Sequence, residues 1–109
     1  MNWNTLTDPA QLDLIVQESE TQPVLIFKHS TTCSISATAK NRLERQWSAT
    51  DDEIKTYYLD LLANRAISNQ IAERFGVRHE SPQVLLIRNG ACVYNSSHLG
   101  ISAAAIQGQ

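Results

Sequence analysis

Apolar positions along this chain alternate between two rhythms, a spacing of three to four residues and short unbroken runs. Leu12, Ile15 and Val16 form one stripe behind Asp8-Pro9, a capping side chain followed by a ring that needs no N–H. That pattern predicts a helix over about residues 9–19. Pro23 breaks it, and Val24-Leu25-Ile26-Phe27 is a continuous apolar run of the kind a buried central strand shows. Lys28-His29-Ser30-Thr31-Thr32-Cys33 then reads as a polar loop. Ile35, Ala39, Leu43 and Trp47 recur every fourth residue and mark a second helix over roughly 34–46. Ile54 to Leu61 reads as another strand. Asn64 can cap a third helix that faces inward with Ile67, Ile71 and Phe75 and stops at Gly76. Val84 to Arg88, the Asn89-Gly90 pair and Ala91 to Tyr94 form the strongest local signal, a tight hairpin. From Ile101 onward the chain reads as a short alanine-rich helix.

The predicted order is α-β-α-β-α-β-β-α. Strand–helix–strand crossovers require parallel pairing, whereas the closing hairpin is antiparallel. A four-stranded mixed sheet with helices on both faces follows, an α/β three-layer arrangement of the thioredoxin-like kind. At 109 residues one domain over 1–109 is expected, large enough to bury a core without disulfides or metal.

Composition narrows the function classes. A formal charge of −2 and a pI near 5.8 offer nothing that attracts nucleic acid or an anionic membrane. The first residues lack a basic stretch followed by an apolar core, and no apolar run approaches a bilayer span. Two cysteines, Cys33 and Cys92, make no scaffold, no C-x-x-C pair and no metal-ligand spacing. The expectation is a cytoplasmic protein with free thiols and no metal.

Cys33 carries the chemistry. It lies where the first strand run gives way to the second helix, and in open α/β sheets sites gather beyond the carboxyl ends of strands. The helix N-terminus directs amides at the sulfur and favours negative charge there. Lys28 and His29, just upstream, are expected to add positive potential. Ser36 stands three residues on, giving Cys33-Ser34-Ile35-Ser36. A dithiol oxidoreductase has its second cysteine at that position; serine can donate a hydrogen bond to the thiolate but cannot close an internal disulfide. A mixed disulfide on Cys33 must therefore be resolved from outside. Ser81-Pro82 precedes the third strand, either as an ordinary strand-start proline or as a cis segment that faces the nucleophile and pairs with substrate. Cys92, between Ala91 and Val93, reads as packing; His79 and His98 read as lone surface or polar-contact histidines.

These motifs resemble the monothiol bacilliredoxins, also called the YtxJ family. The likeness runs along nearly the whole chain. It is densest at Lys28-His29-Ser30-Thr31-Thr32-Cys33, at Ile67-Ser68-Asn69-Gln70-Ile71-Ala72-Glu73 and at Gly76-Val77-Arg78-His79-Glu80-Ser81-Pro82-Gln83-Val84. The resemblance implies a thioredoxin-like fold with a cis-proline loop at Ser81-Pro82, and one active cysteine, Cys33. Ser36 matches the serine of the family's usual C-P-I-S motif, while Ser34 replaces its proline.

It further implies a reaction in which Cys33 removes bacillithiol, a low-molecular-weight thiol, from proteins that carry it as a mixed disulfide. Lys28, His29, Thr32 and Ser36 would tune the sulfur, and Ser81 and Pro82 would hold substrate. The partners expected are S-thiolated client proteins and bacillithiol or another small thiol such as glutathione or coenzyme A. No bound metal, flavin or nucleotide is required. Two rivals differ in class. One is a redox sensor or binding adaptor modified at Cys33 without turnover. The other is an arsenate-reductase-like enzyme, whose oxyanion would need arginines near the cysteine, where only Arg42 and Arg45 lie further along the helix.

Overall fold

A computed structural model describes every residue from Met1 to Gln109. The elements are β1 (Asn4–Thr5), α1 (Ala10–Glu18), β2 (Val24–His29), α2 (Ser34–Gln46), β3 (Lys55–Asp60), α3 (Arg65–Phe75), β4 (Gln83–Arg88), β5 (Ala91–Ser97) and α4 (Ala103–Gln107), with a 3-10 turn over His98–Gly100. One sheet runs in the order β1-β3-β2-β4-β5. Its first three strands are mutually parallel, and β4 and β5 close it in antiparallel fashion. The expected α/β thioredoxin-like layout is present, but the sheet has five strands rather than four. The added strand, β1, is two residues long, too short for any alternation to show in the sequence. It is held by its pairing with Tyr57 and Tyr58 and by the fully buried Leu6 that follows.

Local chemistry sets the boundaries. At the start of α1, Asp8 Oδ1 accepts from the Ala10 N–H at 2.9 Å, and Gln11 Oε1 accepts from the Thr7 and Asp8 amides. Asn64 does occupy the cap position of α3, but its amide reaches back to the Asp60 carbonyl instead of capping. Gly76 ends α3 at φ 65°, the left-handed conformation that glycine adopts without strain. The hairpin turns on Asn89 at φ 51° and Gly90 at φ 76°.

The expected polar loop after Phe27 begins two residues late. Lys28 and His29 belong to β2, paired with Leu59 and Asp60 of β3, and Lys28 also with Gln83 of β4. Ladder hydrogen bonds on both sides outweigh the polarity of these two side chains.

Successive β2 residues face opposite sides of the sheet. Val24 and Ile26 join Leu12 and Ile15 of α1 and Ile67 and Ile71 of α3 in one core. Leu25 and Phe27 join Ala39 and Leu43 of α2 and Ala103 and Ile106 of α4 in the other. No helix is long and apolar enough to cross a membrane.

Candidate functional site at the start of the second helix

Cys33 is the residue that admits the chain to α2. Its backbone is extended (φ −104°, ψ 117°), its N–H donates to the Ser30 carbonyl at 3.2 Å, and its own carbonyl accepts from Ala37 N–H at 3.1 Å. The thiol is half-buried, between exposed Thr31 and Thr32 on one side and exposed Ser34 on the other. Thr32 touches only its loop, 3.4 Å from the Ser30 hydroxyl.

The strand parity that splits the two cores also parts Lys28 from His29. His29 faces α2, where its Nδ1 lies 2.6 Å from Ser36 Oγ. Ser36 is fully buried in the first turn of the helix, and the Ser30 backbone N–H donates to the same oxygen at 3.1 Å. Tyr58 and Phe27 flank the imidazole at 5.6 and 6.0 Å between ring centres. Burial pushes the His29 pKa down, helped by the Lys40 charge and opposed by Asp60 and Glu44. The hydroxyl of Ser36, expected to donate to the Cys33 thiolate, is instead engaged by His29 and Ser30.

Lys28 points the other way, toward α3. Its ammonium is 0% exposed with no carboxylate partner; its contact is His79 Nδ1 at 3.3 Å. Ser68 Oγ approaches the same His79 nitrogen at 3.2 Å. Burial lowers the Lys28 pKa to about 8. Sequence reading left His79 without partners, because the residues that meet it are 51 and 11 positions away.

The Ser81–Pro82 bond is cis. Because Gln83 pairs with Lys28 at the end of β2, the loop ending in Pro82 lies at the same end of the strands from which the Cys33 loop departs. The Pro82 carbonyl accepts from His98 N–H at 3.0 Å, so the proline loop and the 3-10 turn are tied together. Ser81 Oγ is buried without a hydrogen-bond partner. A groove of about 260 Å³ begins at Ser34, the residue after Cys33, and is lined by Ser34, Ile35, Thr38, Ala39 and Arg42 of α2 and by His98 and Leu99. His98, read from sequence as a lone surface histidine, thus borders this groove. Arg42 is no oxyanion clamp, since its guanidinium donates to the Leu99 and Ile101 carbonyls at 3.2 and 2.6 Å.

Cys92 is remote. Its strand partner Ile87 pairs in turn with Val24, the first residue of β2. Cys33 lies past His29, the last. Five residues of strand at ~3.3 Å each separate those levels by roughly 16 Å, against the ~7 Å Cα limit for a disulfide. Cys92 packs on the α1/α3 core, with Sγ 3.3 Å from the Tyr94 carbonyl, and burial raises its pKa.

The sequence profile of the family Monothiol bacilliredoxin BrxC matches residues 4–106. This chain belongs to the monothiol bacilliredoxin family. A solved structure described as a candidate oxidoreductase with a thioredoxin fold is 31% identical, with a TM-score of 0.78, 96% of this chain covered and 92% of the other. Thioredoxins are more distant in sequence and share the fold. That of Malassezia sympodialis is 17% identical at a TM-score of 0.73, covering 98% of this chain and 86% of its own. That of Fasciola hepatica is 15% identical at 0.71, covering 96% and 93%. Membership of the bacilliredoxin family, together with this fold, makes the chain a thiol redox protein.

Proposed function

We propose that this protein removes a low-molecular-weight thiol, bacillithiol in the first instance, from protein mixed disulfides, with Cys33 as nucleophile. The observation that carries this reading is the half-exposed Cys33 at the start of α2 with serine, not cysteine, three residues on. Cys92 stands at the far end of the sheet and offers no internal second thiol.

In the first step the Cys33 thiolate attacks the bacillithiol sulfur of the client's mixed disulfide. A disulfide forms between Cys33 and bacillithiol as the old one breaks, and the client sulfur leaves with the electron pair. A second low-molecular-weight thiol, or a partner reductase, then attacks the bacillithiol sulfur on Cys33 and releases the cysteine. The helix N-terminus supports the thiolate throughout. Ser81 and Pro82 supply the backbone against which an extended client segment can pair. Lys28 and Thr32 stand further from this role than His29 and Ser36: one is turned to α3, the other to solvent.

Intact mass after incubation with oxidised bacillithiol, and separately with oxidised glutathione, tests the reading. One adduct is expected on wild type and on Cys92→Ser, and none at the active position of Cys33→Ser. A bacillithiolated client should then be restored catalytically. An internal Cys33–Cys92 disulfide, or no adduct on wild type, would overturn it.

A further inference from the structure

We propose that Ser36 carries a proton between Cys33 and His29, so that His29 acts on the nucleophile through this hydroxyl as a positioning residue. This relay rests on the reading of Cys33 as the reactive thiol.

A serine hydroxyl has one proton to give and two lone pairs to fill. One lone pair of Ser36 Oγ is taken by the Ser30 N–H at 3.1 Å. His29 Nδ1, at 2.6 Å, must be the other partner in one of two ways. With the imidazole neutral and its proton on Nε2, Ser36 donates to Nδ1. With Nδ1 protonated, as in the imidazolium or the neutral Nδ1–H tautomer, Nδ1–H donates to Ser36, both lone pairs are filled, and the serine proton is free for a third group. Water does not compete, because Ser36 is 0% and His29 7% exposed. Cys33 makes no hydrogen bond to Ser36 at rest, and it is the group proposed to receive that proton: it stands three residues earlier at the cap of the same turn, which Ala37 N–H closes on the Cys33 carbonyl. The cap residue and the third helical residue face each other across the first turn, as they do in a capping box.

The transfer balances. The Cys33 S–H bond breaks as its proton joins Ser36 Oγ, and the original Ser36 proton joins His29 Nδ1. The products are a thiolate, an intact serine and an imidazolium whose reversed hydrogen bond lets Ser36 donate to the sulfur. The same path returns the proton when Cys33 is released. The charged groups around the ring are Lys40 and Glu44 from α2 and Asp60 from β3. Burial and Lys40 keep the imidazole neutral at neutral pH, ready to accept, while Glu44 and Asp60 favour the imidazolium once formed.

Two measurements test the relay. In the Cys92→Ser background, the rate of Cys33 carbamidomethylation by iodoacetamide is followed from pH 5 to 9. His29→Gln and Ser36→Ala should each move the profile to higher pH and lower the rate at pH 6 by roughly tenfold, the equivalent of one pKa unit. Rates at pH 9 should stay close to the parent, and Ser36→Thr should recover the parent profile. An equal loss at all pH values, or no change, overturns the relay. In the unmutated chain, histidine nitrogen spectra should show the Nε2–H tautomer for neutral His29, and blocking Cys33 should lower its titration midpoint. An identical midpoint before and after also overturns it. A pH profile that responds as expected while no small-thiol adduct forms would instead sink the exchange reading and leave the relay standing.

Discussion

Replacing Lys28 with methionine should stabilise this protein, and by an amount that depends on pH. The ammonium is fully buried with no carboxylate in contact, and burial lowers its pKa from 10.5 to about 8. At about 1.4 kcal/mol per unit, holding this charge inside costs roughly 3 kcal/mol at neutral pH. Between pH 8 and 10.5 the unfolded chain keeps the Lys28 proton while the folded chain has released it. The unfolded state then binds more protons, so this contribution to stability climbs with pH across that window and is flat below it. Methionine matches the lysine stem in volume and removes the charge. It also gives up the hydrogen bond to His79, worth about 1 kcal/mol. Lys28→Met should therefore be more stable than wild type by about 2 kcal/mol at pH 7, the difference closing to within about 1 kcal/mol near pH 10.5.

Urea unfolding monitored by circular dichroism at half-unit steps from pH 7 to 10.5 measures this directly. Cys92, Tyr57 and Tyr58 have raised pKa values, so as pH climbs through the same range they lose stability for the fold. They are common to both proteins, and the difference between the two curves isolates Lys28. Parallel curves, or a methionine variant several kcal/mol weaker at pH 7, would refute the reasoning and show the ammonium to be a net favourable contact.

Two further outcomes follow from local geometry. Gly76→Ala and Gly90→Ala should each cost about 1 kcal/mol in thermal or urea unfolding, because both glycines sit at positive φ. An added Cβ meets open space at Gly76 and Val16 Cγ1 at an ordinary 3.4 Å at Gly90, so backbone conformation is the common cause. Arg42→Ala should lower stability by about 1–2 kcal/mol by freeing the Leu99 and Ile101 carbonyls. It should also speed amide exchange across the turn His98–Gly100, with little change in the central strands.

The elements were legible wherever a run of side chains agreed with its neighbours. The predicted second helix over 34–46 is the observed α2, and the Asn89-Gly90 hairpin stands where its dipeptide put it. β1 was not legible because two residues carry no period, and its stability comes from Tyr57 and Tyr58 more than fifty positions away. The same reasoning explains the site. Cys33 and Ser36 are three residues apart, so their joint placement at the start of a helix could be read directly. Lys28 and His29 are adjacent and both basic, and reading them together as one electropositive approach to the sulfur overlooked that they are strand residues.

Strand parity assigns those two residues different chemistry. His29 turns toward α2 and meets Ser36, so it belongs with Cys33. Lys28 turns toward α3, where its partner is His79, from the loop that ends in the cis-proline, and Ser68 of α3 holds the same His79 nitrogen. A fully buried ammonium that forms no ion pair is not explained by folding. His79 stands two residues before Ser81, so the ammonium contacts the loop that leads into the segment proposed to hold the client. If Lys28→Met is more stable yet resolves a bacillithiolated client more slowly, the buried charge serves the cis-proline loop. If it is more stable and equally active, Lys28 serves neither the fold nor the exchange reaction.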